Sequence, residues 1–163
     1  MRGALIVFAL LGSAAGVAVP SAVTASAAPS SACPVGPAAV TGLRYVIFDG
    51  SSSIDTTTLH GNVHLGDQVN VIFDVPALPA GCQQVQLSLA SYSSTKAIRH
   101  TRDQQLYQSQ TGDFVTGGSY EMQVDIVPPP PNGGTLHFQL DFATGPVLTP
   151  PHYGAQLIAS TRH

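Results

Sequence analysis

Two histidines separated by four positions, His60 and His64, have the residue type and spacing of a metal site. On a helix this spacing brings two imidazoles together, whereas in a strand residues four apart lie roughly 13 Å from each other. Residues 54–63 have the pattern of a strand, so a shared ion would need a sharp bend at Gly61. We therefore predict two exposed strand histidines, with no metal and no cofactor.

One predicted loop contains three of the six Lys and Arg residues of the chain. A loop that concentrates charge on a rigid scaffold can hold an anionic ligand such as a cell-wall polymer. A solvated loop between strands explains the same residues, and this simpler interpretation is favoured because surface charges often bind nothing specific. The members of this possible ligand loop are Lys96, Arg99, His100 and Arg102, followed by Asp103.

Patterns of catalytic residues are missing from the sequence. There is no Gly-x-Ser-x-Gly motif, and no pair of carboxylates has a spacing that suggests acid–base catalysis. Ser119, His137 and Asp141 supply the residue types of a hydrolytic triad, but they fall on two different predicted strands. We therefore predict a protein that is not an enzyme, and we keep a small extracellular hydrolase as an alternative.

The N-terminal residues have the three zones of a secretory signal peptide. Arg2 supplies the positive start, residues 4–19 form an uncharged and mostly apolar run, and small residues follow. The Ala-Ser-Ala pattern ending at Ala27 predicts a signal peptide of residues 1–27, with cleavage after Ala28 as the near alternative. The sequence thus predicts a secreted, extracellular protein without a stable membrane anchor after cleavage.

The chain has two cysteines, Cys33 and Cys82. In an oxidising compartment we expect them to form a disulfide, which would stabilise the fold by about 4 kcal/mol in the chain-entropy model. Residues 28–39 are rich in Pro, Ala and Ser and are predicted to be a flexible leader that this bond pins at Cys33. Residues 40–163 then form a single domain.

Charge and composition narrow the range of partners. The chain carries nine acids against six Lys and Arg residues and has no basic tract, which argues against nucleic acid as a partner. Few charges together with many apolar residues favour a packed core over disorder. The expected partner is therefore an unknown protein or a cell-wall polymer.

Apolar residues recur at every second position over much of the chain, which is the period of a β-strand. Each such run is expected to bury one set of side chains and leave the other set in water. The apolar members of the four clearest runs are Val69, Val71, Phe73 and Val75; Val85, Leu87 and Leu89; Tyr120, Met122, Val124 and Ile126; and Leu136, Phe138, Leu140 and Phe142.

Weaker strand patterns, separated by turn residues, complete the fold prediction. They occupy residues 41–48, 54–63, 104–108 and 155–159, and one of the predicted turns is at 111–113. Seven or eight short strands without a capped helix predict an all-β, antiparallel, immunoglobulin-like β-sandwich. A closed β-barrel is the alternative.

Five short sequence pieces in the second half of the chain, taken together and in order, resemble those of a known module. They are Leu-Ser-Leu-Ala-Ser-Tyr at 87–92, Gln-Gln-Leu-Tyr at 104–107, Thr-Gly-Asp-Phe at 111–114, Gly-Ser-Tyr-Glu-Met-Gln-Val at 118–124 and Phe-Gln-Leu-Asp-Phe at 138–142. This segment resembles an uncharacterised β-sandwich module of secreted and cell-wall proteins of actinobacteria. The resemblance implies export and fold but no defined activity. That module usually has a cysteine after the hairpin strand, whereas residues 128–134 have none.

Three functional hypotheses follow from these patterns. The first is a secreted, non-catalytic binding or interaction module at the bacterial envelope or in the extracellular space. The second is the small hydrolase. The third is a surface structural protein that self-associates, since low charge and apolar strands favour strand pairing between molecules.

Overall fold

Eight β-strands and one turn of 3-10 helix make up the part of the chain that the structure, a computed structural model, describes: residues 33–96, 103–149 and 154–163. The predicted signal peptide lies outside these residues. The 3-10 helix is Gly36–Ala39, and the strands are β1 (Thr41–Phe48), β2 (Ser53–Thr56), β3 (Gln68–Asp74), β4 (Gln84–Ser94), β5 (Gln105–Val115), β6 (Ser119–Asp125), β7 (His137–Thr144) and β8 (Leu157–Arg162).

The strands form two antiparallel sheets of four strands each, with orders β2-β1-β3-β6 and β5-β4-β7-β8. We call these the first and the second sheet. The chain crosses from one to the other between β3 and β4, between β5 and β6, and between β6 and β7. This arrangement confirms the predicted immunoglobulin-like β-sandwich.

The core lies between the sheets and includes the apolar side chains of the four clearest period-two runs, except Tyr120 and Leu136, which are half-buried. Val69, Val71 and Phe73 of β3 are fully buried. The ring of Phe73 lies 5.1 Å from that of Phe114 and 5.3 Å from that of Phe142, so this residue joins both sheets. Leu87 and Leu89, and Phe138 and Leu140, supply the opposing wall.

The described strands do not close into a barrel, because no backbone ladder joins β5 to β6. Each is the edge strand of its own sheet at the same side of the sandwich. Side chains of β5 bridge the gap instead, as described below.

Strand β5 extends well beyond the predicted 104–108, and the turn predicted at 111–113 is wrong. Gly112 lies opposite Leu87 and Thr111 lies opposite Ser88, in continuous pairing with β4. The Cβ of any other residue at 112 would come within 2.9 Å of the Phe114 ring, so the glycine leaves room for an aromatic side chain. The turn comes later, at Gly117, whose φ is +78°.

The 3-10 helix that precedes β1 packs against the second sheet. Gly36 and Ala39 are buried, and the Gly36 N–H donates to Thr144 Oγ1 at 3.0 Å. The predicted disulfide between Cys33 and Cys82 is present, with an S–S distance of 2.04 Å. The bond therefore ties residues 33–39, which we call the strap, to the chain just before β4.

Candidate functional site

On the outer face of the second sheet, the side turned away from the first sheet, several polar side chains of β4 and β7 are buried. Ser88, Tyr92, Gln139 and Asp141 are each at most 5% exposed. The period-two pattern predicted Ser88, Gln139 and Asp141 to be in water, which is wrong for these three residues, whereas Gln84 and Gln86 of β4 are exposed as predicted. On this face Tyr92 Oη donates a 2.6 Å hydrogen bond to the carbonyl of buried Leu148, which follows β7 in the chain.

Asp141 is the most deeply placed charged residue of this face. It lies on β7 between Ala90 of β4 and Ser160 of β8, and it is 2% exposed. Both carboxylate oxygens accept hydrogen bonds from Gln139 Nε2, at 2.9 and 2.8 Å. Burial raises the pKa of the Asp141 carboxyl, and the hydrogen bonds from Gln139 and Ser160 oppose that rise only in part.

The hydrogen bonds continue from Asp141 towards the surface. Gln139 uses its amide nitrogen on Asp141, and its Oε1 accepts from Gln104 Nε2 at 2.8 Å. Gln104 immediately precedes β5 and is half-buried. We call Gln104, Gln139, Asp141 and Ser160 the amide array. Because each member fixes the next, the array holds Gln104 in one orientation.

The side chain of Gln104 lines a cleft at the end of the β4–β5 hairpin. The cleft has a volume of about 310 Å³, and its walls are Thr95, Lys96, Asp103, Gln104 and Gln105. Lys96 Nζ lies 2.9 Å from Asp103 Oδ2, and this ion pair joins the two limbs of the loop. All five side chains can hydrogen-bond, so the cleft suits a polar ligand better than an apolar one. We call it the loop cleft.

The structure brings one member of the predicted ligand loop into this cleft. Lys96 lines it, whereas Arg99, His100 and Arg102 lie outside the described residues. The sequence did not point to Gln104 or Gln139, since isolated glutamines carry no motif. The only available signal was a polar residue at every second position of a strand that turned out to be covered on both faces.

The histidine pair is not in a strand. Strand β2 ends at Thr56, and the chain turns at Gly61, whose φ is +76°. His64 Nδ1 lies 3.6 Å from Asp67 Oδ2, which also accepts a 2.6 Å hydrogen bond from the backbone N–H of His64. The bend that a shared ion would need is present, but the described residues contain no group of three or more metal-ligating side chains.

The three residue types of a hydrolytic triad are not brought together. Ser119 starts β6 in the first sheet, opposite Asp74. His137 and Asp141 lie on β7 of the second sheet, four residues apart along an extended strand. Nδ1 of His137 is 3.2 Å from the carbonyl of His163, and the carboxylate of Asp141 is held by Gln139.

Comparison of the chain with models of known protein families, with curated protein sequences and with solved structures finds no match in any of the three. Among the described residues there is also no helix long and apolar enough to cross a membrane.

Proposed function

We propose that this chain is a secreted, non-catalytic β-sandwich module that binds a polymer of the bacterial cell wall through the loop cleft. The observation that carries the proposal is the hydrogen bond that holds Gln104, a wall of the cleft, to the buried Gln139, whose amide in turn binds the buried Asp141. A polar group that is fixed before the ligand arrives loses little conformational freedom on binding. Such fixing distinguishes the loop cleft from an ordinary solvated loop.

Three features support export. Residues 1–27 carry the signal-peptide pattern, and Cys33 and Cys82 are joined in a disulfide, a bond that persists in oxidising compartments. The resemblance of the second half of the chain to a secreted actinobacterial module supports the same location.

The chemistry of the cleft supports the ligand class. Its amide, hydroxyl, ammonium and carboxylate groups hydrogen-bond to hydroxyl, amide and carboxyl groups, which peptidoglycan and wall polysaccharides offer in repeating units. A short stretch of polymer with several such contacts fits a cavity of about 310 Å³.

Binding to isolated peptidoglycan and to wall polysaccharide tests the proposal. Soluble fragments of whichever polymer retains the protein are then titrated by calorimetry against the wild type and Gln104→Ala. We expect Gln104→Ala to weaken binding about tenfold, because it removes one fixed hydrogen-bonding group.

Gln83→Ala is the matched control. Gln83 is an exposed glutamine just before β4, at the opposite end of that strand from the loop cleft, so we expect its affinity to equal that of the wild type. Equal affinities for the wild type, Gln104→Ala and Lys96→Ala would place the binding surface elsewhere. No retention by either polymer would refute the proposed function.

A further inference from the structure

The side of the sandwich between β5 and β6 is held together by glutamine side chains. β6 is an edge strand of the first sheet, so one row of its backbone groups points away from β3. The N–H of Gln123 donates to Oε1 of Gln110 at 2.7 Å, and the N–H of Asp125 donates to Oε1 of Gln108. Two outward donors of β6 are therefore satisfied by side chains of β5.

The amides of Gln108 and Gln110 occupy the position beside the outward edge of β6 that the backbone of a further strand would take. A side-chain amide has the same carbonyl acceptor as a peptide group, and Gln108 and Gln110 are two residues apart, as are the donors that they meet. The carbonyl of Asp125 is used as well, since it accepts a 2.7 Å hydrogen bond from Ser91 Oγ. β6 would otherwise present an unpaired edge to which another strand could add.

The sequence of β6 is compatible with pairing to itself in antiparallel orientation. With Met122 opposite Met122 of a second copy, Tyr120 faces Val124, and this core-facing row remains core-facing in both copies. In the same register Glu121 lies opposite Gln123 and Asp125 lies opposite Ser119, so no two carboxylates face each other. The first sheets of two copies would then join into one sheet of eight strands.

We propose that the edge of β6 is a strand-pairing surface for a second copy of this chain, and that Gln108 and Gln110 keep it closed. A second β6 can pair only when the side-chain amides of Gln108 and Gln110 move away from the outward edge of β6. This inference is independent of the proposed function, because the loop cleft and β6 share no residue.

Sedimentation velocity of the full secreted chain over a wide range of concentrations tests the inference. The double variant Gln108→Ala/Gln110→Ala leaves the two N–H groups of β6 without a protein acceptor in the monomer. We expect its association constant to exceed that of the wild type by about tenfold or more, since a second strand no longer competes with the two glutamines for these donors. A double variant that sediments as the wild type does at every concentration would overturn the inference.

Three further variants separate strand pairing from loss of folding. Gln108→Glu/Gln110→Glu keeps acceptor oxygens beside the two N–H groups of β6, and we expect this variant to associate no more than the wild type. Gln84→Ala/Gln86→Ala makes the same change on the exposed side of β4 and serves as the matched control. Adding Gln123→Pro to the alanine pair removes one outward donor at an edge position that tolerates proline, and should restore the monomer. Association that persists with this proline would mean that another surface is responsible.

Discussion

At the scale of single residues, Asp141 is the least expected feature of this molecule. A buried carboxylate usually has a cation beside it, but Asp141 forms no ion pair among the described residues. Its partners are the amide of Gln139 and the hydroxyl of Ser160. These groups stabilise the charged form less than burial destabilises it, so the pKa of Asp141 lies above the ordinary value of 3.8.

The raised pKa predicts how the stability of the protein depends on pH. The folded state binds the Asp141 proton more tightly than the unfolded state does. The resulting stabilisation is complete below the unfolded pKa near 3.8 and is lost as the pH rises through the folded pKa. Relative to Asp141→Asn, we expect the free energy of unfolding of the wild type to fall over this window, by at most about 1.4 kcal/mol per pH unit, and then to level off.

Urea unfolding at a series of pH values measures this difference. Asp113→Asn, at an exposed position of β5, controls for the loss of one negative charge. A difference between the wild type and Asp141→Asn that stays constant from acid to neutral pH would contradict the assignment.

At the scale of elements, the sequence predicts strands well wherever apolar and polar residues alternate. β1 has the predicted bounds, and the runs around Phe73, Leu87, Met122 and Phe138 all form strands. Prediction fails where pairing overrides local preference. Gly112 suggests a turn, yet the ladder to β4 continues through it.

The candidate site was harder to predict than the strands, for a physical reason. Gln139 and Asp141 occupy the polar positions of an alternating strand, and such positions normally face water. They are nevertheless buried. Burial on this face depends on tertiary contacts, such as the one between Tyr92 and Leu148, which the period of the strand does not encode. Lys96, which lines the loop cleft, was among the predicted loop residues because a cluster of charged residues can be recognised from the sequence alone.

The strap before β1 gives a prediction at this scale. Its disulfide joins residues 49 positions apart and fixes the ordered Gly36–Ala39 turn near β4. We expect Cys33→Ser/Cys82→Ser to lower the free energy of unfolding by about 2–4 kcal/mol, mainly because the unfolded chain gains freedom. Urea unfolding measures the loss, and the wild type with its disulfide reduced should show the same loss. A change below about 1 kcal/mol in both would show that the strap adds little to stability.

At the scale of the whole molecule, the outer faces of the two sheets differ. On the second sheet, polar side chains of β4 and β7 are buried, and this sheet carries the amide array and the loop cleft. The first sheet leaves Phe48 of β1 43% exposed. Both sheets share one interior, which fixes how they lie against each other and so positions β5 beside β6.

Phe73 is the residue on which that interior most depends. It is fully buried in the first sheet, and its ring meets Phe114 and Phe142 of the second sheet as well as Tyr120, at 6.0 Å. Phe73→Ala should lower the free energy of unfolding by about 3–5 kcal/mol, because it removes a large side chain and leaves a cavity that the sheets cannot fill.

Phe48→Ala makes the same chemical change on the outer face of the first sheet, where we expect a loss within about 0.5 kcal/mol. Urea unfolding of both variants at one pH compares them directly. If the two losses were equal, Phe73 would not lie between the sheets, and the two-layer arrangement that places β5 beside β6 would have to be abandoned.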